Sequence, residues 1–140
     1  MLANIRMAQY GDAEAVLALA KPFATSFVVD DQAFYHSFSE LLASPQAHVA
    51  VAEADRQLVG YVLGFDHYAF FANGRVAWVE EIMVSELFRR QGIGQLLMQE
   101  FETWATERGS KLVALATRRA APFYQALGYE ESAAYFRKLL

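Results

Sequence analysis

Residues 86–97 read ELFRRQGIGQLL, placing Arg89 and Arg90, then Gly92 and Gly94, directly before an amphipathic segment. In that segment Ile93, Leu97, Phe101 and Trp104 recur at spacings of four, four and three, which predicts a long helix reaching Arg108 and ended by Gly109. The first turn of a helix exposes backbone N–H groups without intrahelical partners, and glycines let another molecule approach them closely. The stretch therefore has the makings of an anion cradle. A nucleotide P-loop fits less well, because the GK[ST] ending is absent.

Working upstream, RVAWVEEIMV (75–84) reads as a strand leading into this stretch, preceded by a turn at Ala72-Asn73-Gly74. Before that turn, HVAVAEA (48–54), a polar turn at Asp55-Arg56-Gln57 and LVGYVLGFDHYAFF (58–71) form a β-hairpin pattern, so three antiparallel strands are expected in succession. The N-terminal part predicts a short strand at 2–8. A helix follows, with Asp12 as N-cap and Pro22 as stop, and then a second helix over 31–43 with Asp30 or Asp31 at its start and Pro45 beyond its end. Downstream of the central helix come a buried strand in KLVALAT (111–117), a short helix over about 119–127 stopped by Gly128, and a last strand in YEESAAYFRKLL (129–140). The expected order is β-α-α-β-β-β-α-β-α-β: an α/β protein with helices flanking a mixed sheet, antiparallel early and parallel across the later crossover.

Composition bounds the function classes. One domain spanning 1–140 is expected, since there is no internal repeat or linker-like run, and 55% hydrophobic with 20% charged residues suits a globular chain. The apolar runs are too short to span a bilayer and the first residues lack a signal-peptide pattern, so no membrane partner and a cytoplasmic location are expected. A net charge of −4 argues against nucleic acid as a partner, which needs clustered excess Lys and Arg, and suits a cationic small substrate better. With no cysteine there is no disulfide, thiolate metal site or cysteine nucleophile. His36, His48 and His67 show no metal-ligand spacing and read as surface or packing residues, so no metal is expected, and no G-x-S-x-G elbow appears.

Two longer runs carry a family resemblance. WVEEIMVSELFRRQGIGQLL (78–97) and, downstream, ATRRAAPFYQALGY (116–129) resemble the GNAT superfamily of acyl-CoA-dependent N-acyltransferases, whose motif [QR]-x-x-G-x-[GA] is matched by Arg89, Gly92 and Gly94. The resemblance covers almost the whole chain in element order. It implies a GNAT-like fold, acetyl-CoA as cosubstrate, and transfer of the acetyl group to a primary amine by direct attack in a ternary complex, without an acyl-enzyme. It further implies that backbone N–H groups of Gln91, Gly92, Ile93, Gly94 and Gln95 bind the coenzyme's pyrophosphate, aided by the helix dipole. Arg89 and Arg90 either add charge-assisted phosphate contacts or pair with a surface acid such as Glu86. Ile82 and Val84, with Met83 between them, are implied to offer backbone groups to pantetheine, although core packing explains their side chains equally well. Thr117 stands where the superfamily often has Asn, which puts one polar contact to pantetheine in doubt. Arg118 and Arg119 either reach phosphate or decorate the surface.

The chemistry asks for a base and an acid. A lysine-like amine with a pKa of about 10.4 is neutral only about once in a few thousand molecules at pH 7. Successive strand residues point to opposite faces, so one of Glu80 and Glu81 is expected to look into the substrate gap. Glu80 is favoured because it shares a face with Trp78, and a bulge would exchange the two. Two merely solvated or paired carboxylates are the bland alternative. Tyr124 matches the superfamily tyrosine that serves the leaving sulfur, and is otherwise ordinary core; Phe123 and Leu127 read as packing.

The acceptor, a small-molecule or peptide amine, is not readable from the chain. The resemblance places its determinants in FATSFVVDDQAFYHSF (23–38) and GFDHYAFFANGR (64–75). There the aromatics Phe23, Phe27, Phe34, Tyr35, Tyr68, Phe70 and Phe71 suggest a partly apolar channel unless they are core, and Asp30, Asp31 and Asp66 are candidates to attract a cation. A non-catalytic acyl-CoA sensor is the alternative from another class, and a nucleotide-binding α/β protein a third reading. The short stretch after Gly128 leaves a homodimer possible, in which a second subunit completes the sheet.

Overall fold

The structure is a computed structural model and describes residues 3–24 and 26–140. Leu2, in the expected first strand, and Thr25, in the acceptor stretch, lie outside the described residues. The elements are β1 (Asn4–Met7), α1 (Ala13–Phe23), α2 (Asp31–Ala43), β2 (Ala47–Ala54), β3 (Gln57–Ala69), β4 (Gly74–Val84), α3 (Ile93–Glu107), β5 (Val113–Leu115) and α4 (Ala121–Ala126). The five strands lie in sequence order, antiparallel from β1 to β4, and β5 joins β4 in parallel. The mixed sheet follows the sequence pattern.

Alternation along the strands divides the core in two. Ala50, Ala52, Val62, Ala77 and Val79 face α3, whose Leu97, Met98 and Phe101 are fully buried against them. Val49, Val51 and Tyr61 face the other way, onto Val16 and Ala20 of α1 and Phe38 of α2. The helix sits close to the sheet because Gly64 leaves room: a Cβ there would lie 2.2 Å from the Phe101 ring. The β2–β3 turn takes left-handed φ at Asp55 and Arg56, as a tight two-residue hairpin turn requires.

Three expectations change. Asp12 does not cap α1. Its carboxylate accepts from Arg6 Nη1 and Nη2 and from the Gln9 N–H at 2.7 Å, closing a short 3₁₀ turn ahead of the helix. Pro22 lies within α1, in its last turn, where a missing N–H removes one bond and the helix ends a residue later. By contrast, α2 starts as expected, with Asp30 Oδ2 accepting from the Ala33 N–H at 2.8 Å.

The third change is the last strand. Residues 130–140 form no strand and are exposed throughout. A strand needs a neighbour offering unpaired backbone groups over several residues, and β5 is three residues long. The tail is held by side chains instead. Tyr135 stacks on Trp78 at 6.5 Å between ring centroids, and Arg137 Nη1 donates to Ser26 Oγ at 2.9 Å.

Candidate active site

The site gathers where β4 loses one neighbour. β5 pairs with β4 only at Ala77, Trp78 and Val79, so Glu80 to Val84 have a strand on one side alone. Antiparallel strands direct alternate residues' backbone groups to each edge. The Ser85 N–H bonds to the Val59 carbonyl at 2.7 Å, which aims Ser85, Met83 and Glu81 at β3 and leaves Ile82 and Val84 facing the open edge. Arg89 marks that edge, because its Nε donates to the Val84 carbonyl at 3.0 Å. This is where Arg89 goes, rather than to Glu86; Arg90, exposed and at φ +64°, enters no ion pair among the described residues.

Beyond the edge, the chain turns into α3 through Gly92, the residue before the helix, at φ +81°. That left-handed geometry is strained for a residue with a Cβ. The first bond into the helix runs from Leu96 N–H to the Gly92 carbonyl at 3.1 Å. Among the described residues, the N–H groups of Gln91, Gly92, Ile93, Gly94 and Gln95 find no backbone or side-chain acceptor. Gly94 is confined, since a Cβ there would approach the Phe123 ring of α4 to 3.2 Å. An open strand edge beside a cluster of free, positively polarised N–H groups fits a ligand that carries phosphates at one end and amide groups along its length.

The carboxylates sort themselves by a bulge. β3 pairs Leu63 with Glu81 and Gly64 with Val79, so Glu80 is the extra residue. Glu80 is therefore exposed, and Glu81 shares the face of Trp78 and Met83 that the unbulged strand would give to Glu80. Tyr61 of β3, 2% exposed, donates its hydroxyl to Glu81 Oε1 at 2.7 Å. Burial pushes the Glu81 carboxyl above the usual range, the Tyr61 hydrogen bond opposes that shift, and the Glu80 charge adds to it. Burial and the neighbouring carboxylate hold the Tyr61 hydroxyl protonated. Tyr61 escaped the sequence reading, because its partner lies across a bulged pair of strands.

Tyr124, 8% exposed, stands on α4 with its ring edge-on to Phe123, 4.9 Å between centroids, and burial raises its hydroxyl's pKa. That hydroxyl makes no hydrogen bond among the described residues, so its proton is uncommitted. Thr117 is partly committed: its Oγ1 accepts from the Ala120 N–H at 3.0 Å at the entry to α4. Arg118 and Arg119 are exposed.

The three aspartates expected to attract a cationic acceptor are already engaged. Asp30 caps α2, Asp31 pairs with Lys21 at 3.1 Å, and Asp66 is buried on the α3 face against Arg108, with Arg75 at 3.8 Å. Asp66 is thus a tie between β3 and the end of α3, not a lure for substrate. Of the aromatics, Phe34 packs in the α1–α2 core, while Phe27, Phe70 and Phe71 are exposed and Tyr68 lies under the Arg75 guanidinium at 4.5 Å. His36 and His67 are exposed; His48 is buried against Trp104, 4.9 Å between ring centroids. No group of three or more His, Asp or Glu among the described residues is placed to hold a metal, and no helix among them is long and apolar enough to cross a membrane.

Residues 13–129 match the family model described as the GNAT acetyltransferase family. The chain belongs to that family. It is accordingly an acyl-CoA-dependent N-acetyltransferase with acetyl-CoA as its cosubstrate. It is 30% identical to an aminoalkylphosphonate N-acetyltransferase of Salmonella typhimurium, over 98% of this chain and 91% of that one. It is 31% identical to an aminoglycoside N(6′)-acetyltransferase of Acinetobacter genomosp. 13, over 77% of this chain and 81% of that one. Among solved structures, an aminoglycoside N-acetyltransferase in complex with CoA superposes with a TM-score of 0.85 at 24% identity, covering 98% of this chain and 95% of the other, a likeness of fold.

Proposed function

We propose that this GNAT protein acetylates the primary amine of a small molecule by direct attack, with Glu81 as the general base. The observation that carries the proposal is the bulge at Glu80, which turns the Glu81 carboxylate inward beside the unpaired half of β4. Acetyl-CoA, when bound, supplies the acetyl group as an activated thioester. The free N–H groups of Gln91 to Gln95 would hold its diphosphate, and the outward backbone groups of Ile82 and Val84 would hold its pantetheine arm.

Glu81 answers the protonation problem of the acceptor. An ammonium with a pKa of about 10.4 must lose a proton before it is nucleophilic, and a base whose pKa has been raised towards neutrality takes that proton more readily than an ordinary carboxylate. Only Oε1 is engaged by Tyr61, leaving Oε2 to accept. Tyr124, with an uncommitted hydroxyl beside the cradle helix, is suited to protonate the departing sulfur. The small amines named for the two curated relatives, an aminoalkylphosphonate and an aminoglycoside, support a small-molecule acceptor.

A coupled assay of coenzyme A release over a panel of aminoalkylphosphonates, aminoglycosides, polyamines and amino acids tests the substrate class. Glu81→Gln should lower turnover by about 10²–10⁴-fold on the best acceptor, while Glu80→Gln stays within a few-fold of the parent. The opposite ranking would return the base to Glu80.

A further inference from the structure

From the hydrogen bond across the bulge, we infer that Tyr61 is a positioning residue: its hydroxyl fixes the Glu81 carboxylate in one orientation and sets the pH at which that carboxylate becomes available as a base. The inference rests on the reading of Glu81 as the base. Tyr61 is more than a core aromatic because its ring and its hydroxyl do different things. The ring fills the α1–α2 core with Val49, Val51 and Phe38. The hydroxyl, at the rim of that core, spends its single proton on Glu81 Oε1 at 2.7 Å, within the range of a charge-assisted O–H to carboxylate bond.

The geometry makes this bond hard to replace. β3 and β4 hold Tyr61 opposite Met83 and Leu63 opposite Glu81, so donor and acceptor reach each other diagonally from paired strands and the backbone ladder sets their separation. α1 and α2 cover this face with apolar side chains, among them Leu19, Phe34, Leu41 and Leu42. The one lysine of α1, Lys21, is drawn away to Asp31, and Glu40 of α2 makes no hydrogen bond or ion pair among the described residues. On β4 itself the neighbouring charge is Glu80, which opposes ionisation of Glu81. No Lys, Arg or His among the described residues pairs with Glu81, so the phenol is the one group that favours its charged form. A cation there would hold Glu81 permanently ionised and weakly basic. A phenol orients the carboxylate and still leaves it able to take a proton.

The test follows the carboxyl group directly. In protein labelled with ¹³C at the glutamate side-chain carboxyl, with the Glu81 signal assigned by its loss in Glu81→Gln, the titration midpoint should rise by about one pH unit in Tyr61→Phe. The acid limb of kcat/KM against pH should move by the same amount, with kcat at neutral pH falling roughly tenfold and KM for acetyl-CoA nearly unchanged. Replacing Tyr61 with 3,5-difluorotyrosine keeps the ring and makes the hydroxyl a stronger donor, so the midpoint should move down; this arm stands even if Tyr61→Phe fails to fold. A Glu81 midpoint that stays put with the fluorinated residue, or in a folded Tyr61→Phe protein, overturns the inference. If Glu81→Gln retains full turnover, it is the reading of the base that falls, and the inference about catalysis falls with it. If Glu81→Gln is inactive and the midpoint does not move, Tyr61 alone loses its role.

Discussion

β3 and β4 bring two acidic side chains out of water on opposite faces of one sheet, and their surroundings could hardly differ more. Asp66, 1% exposed, looks towards α3 and meets the Arg108 guanidinium, with Arg108 Nη2 at 3.0 Å from Oδ1 and Arg75 close by. Glu81 looks towards α1 and α2 and meets a single phenol. A buried carboxylate ringed by arginines ties elements of the fold together. One held by a single neutral donor keeps a pKa that burial lifts and an Oε2 with no partner among the described residues.

Exchanging each acid for its amide separates the two roles. Glu81→Gln should remove about 10²–10⁴-fold of turnover and at the same time raise thermal stability slightly, by about 0.5–1 kcal/mol. The sign follows from linkage. The folded pKa of Glu81 lies above its unfolded value, so at neutral pH the ionised carboxyl opposes folding, and an amide removes that opposition. Calorimetry beside the transfer assay checks both numbers; a fall in stability comparable to that of an Asp66 variant would erase the distinction.

Asp66→Asn should do the reverse. Leaving Arg108 and Arg75 without their anion is expected to lower stability by about 3 kcal/mol, roughly 10 °C in melting temperature, while turnover at a permissive temperature stays near the parent's. A loss of turnover without a loss of stability would place Asp66 in the acceptor site after all.

His48 extends the comparison to a buried group with no hydrogen bond among the described residues, its Nε2 standing 3.5 Å from Glu100 Oε2. It is 2% exposed, neither ring nitrogen has a hydrogen bond, and burial brings its pKa down to about 4. The unfolded chain therefore binds a proton below about pH 6.5 that the folded chain refuses down to about 4. Stability should fall across that window as the pH is lowered, by up to about 2–3 kcal/mol, and level off below it. Denaturation midpoints between pH 7 and 4 would show it, and His48→Phe, which keeps the stack on Trp104, should flatten that slope.

The smallest effect belongs to Tyr124, a proton donor left free as Glu81 is left as a free acceptor. Tyr124→Phe should slow turnover about tenfold with acetyl-CoA affinity unchanged, read by steady-state kinetics against equilibrium titration of the coenzyme. A matched loss of affinity would make it a packing residue of α4.

Much of this was legible from local pattern. The spacing of Ile93, Leu97 and Phe101 and the glycines before them located α3 and its free N–H groups, because helical period and chain-end hydrogen bonding are properties of neighbouring residues. Asp30 as the cap of α2 was legible for the same reason. The tail was misread because Tyr135 and Phe136 look like strand residues, and nothing local says that β5 is too short to receive them.

By itself, then, the sequence determined the order of the elements as far as the last helix, the family, and the glycine-bearing helix start with its free N–H groups, all written in contacts between residues a few positions apart. Only the tertiary structure decided which glutamate turns inward, that Tyr61 meets it, and that Asp66 is sealed by Arg108 from across the core. A single extra residue in β4 reverses the faces of everything beyond it, and whether a strand bulges depends on its register with a partner strand rather than on its own composition.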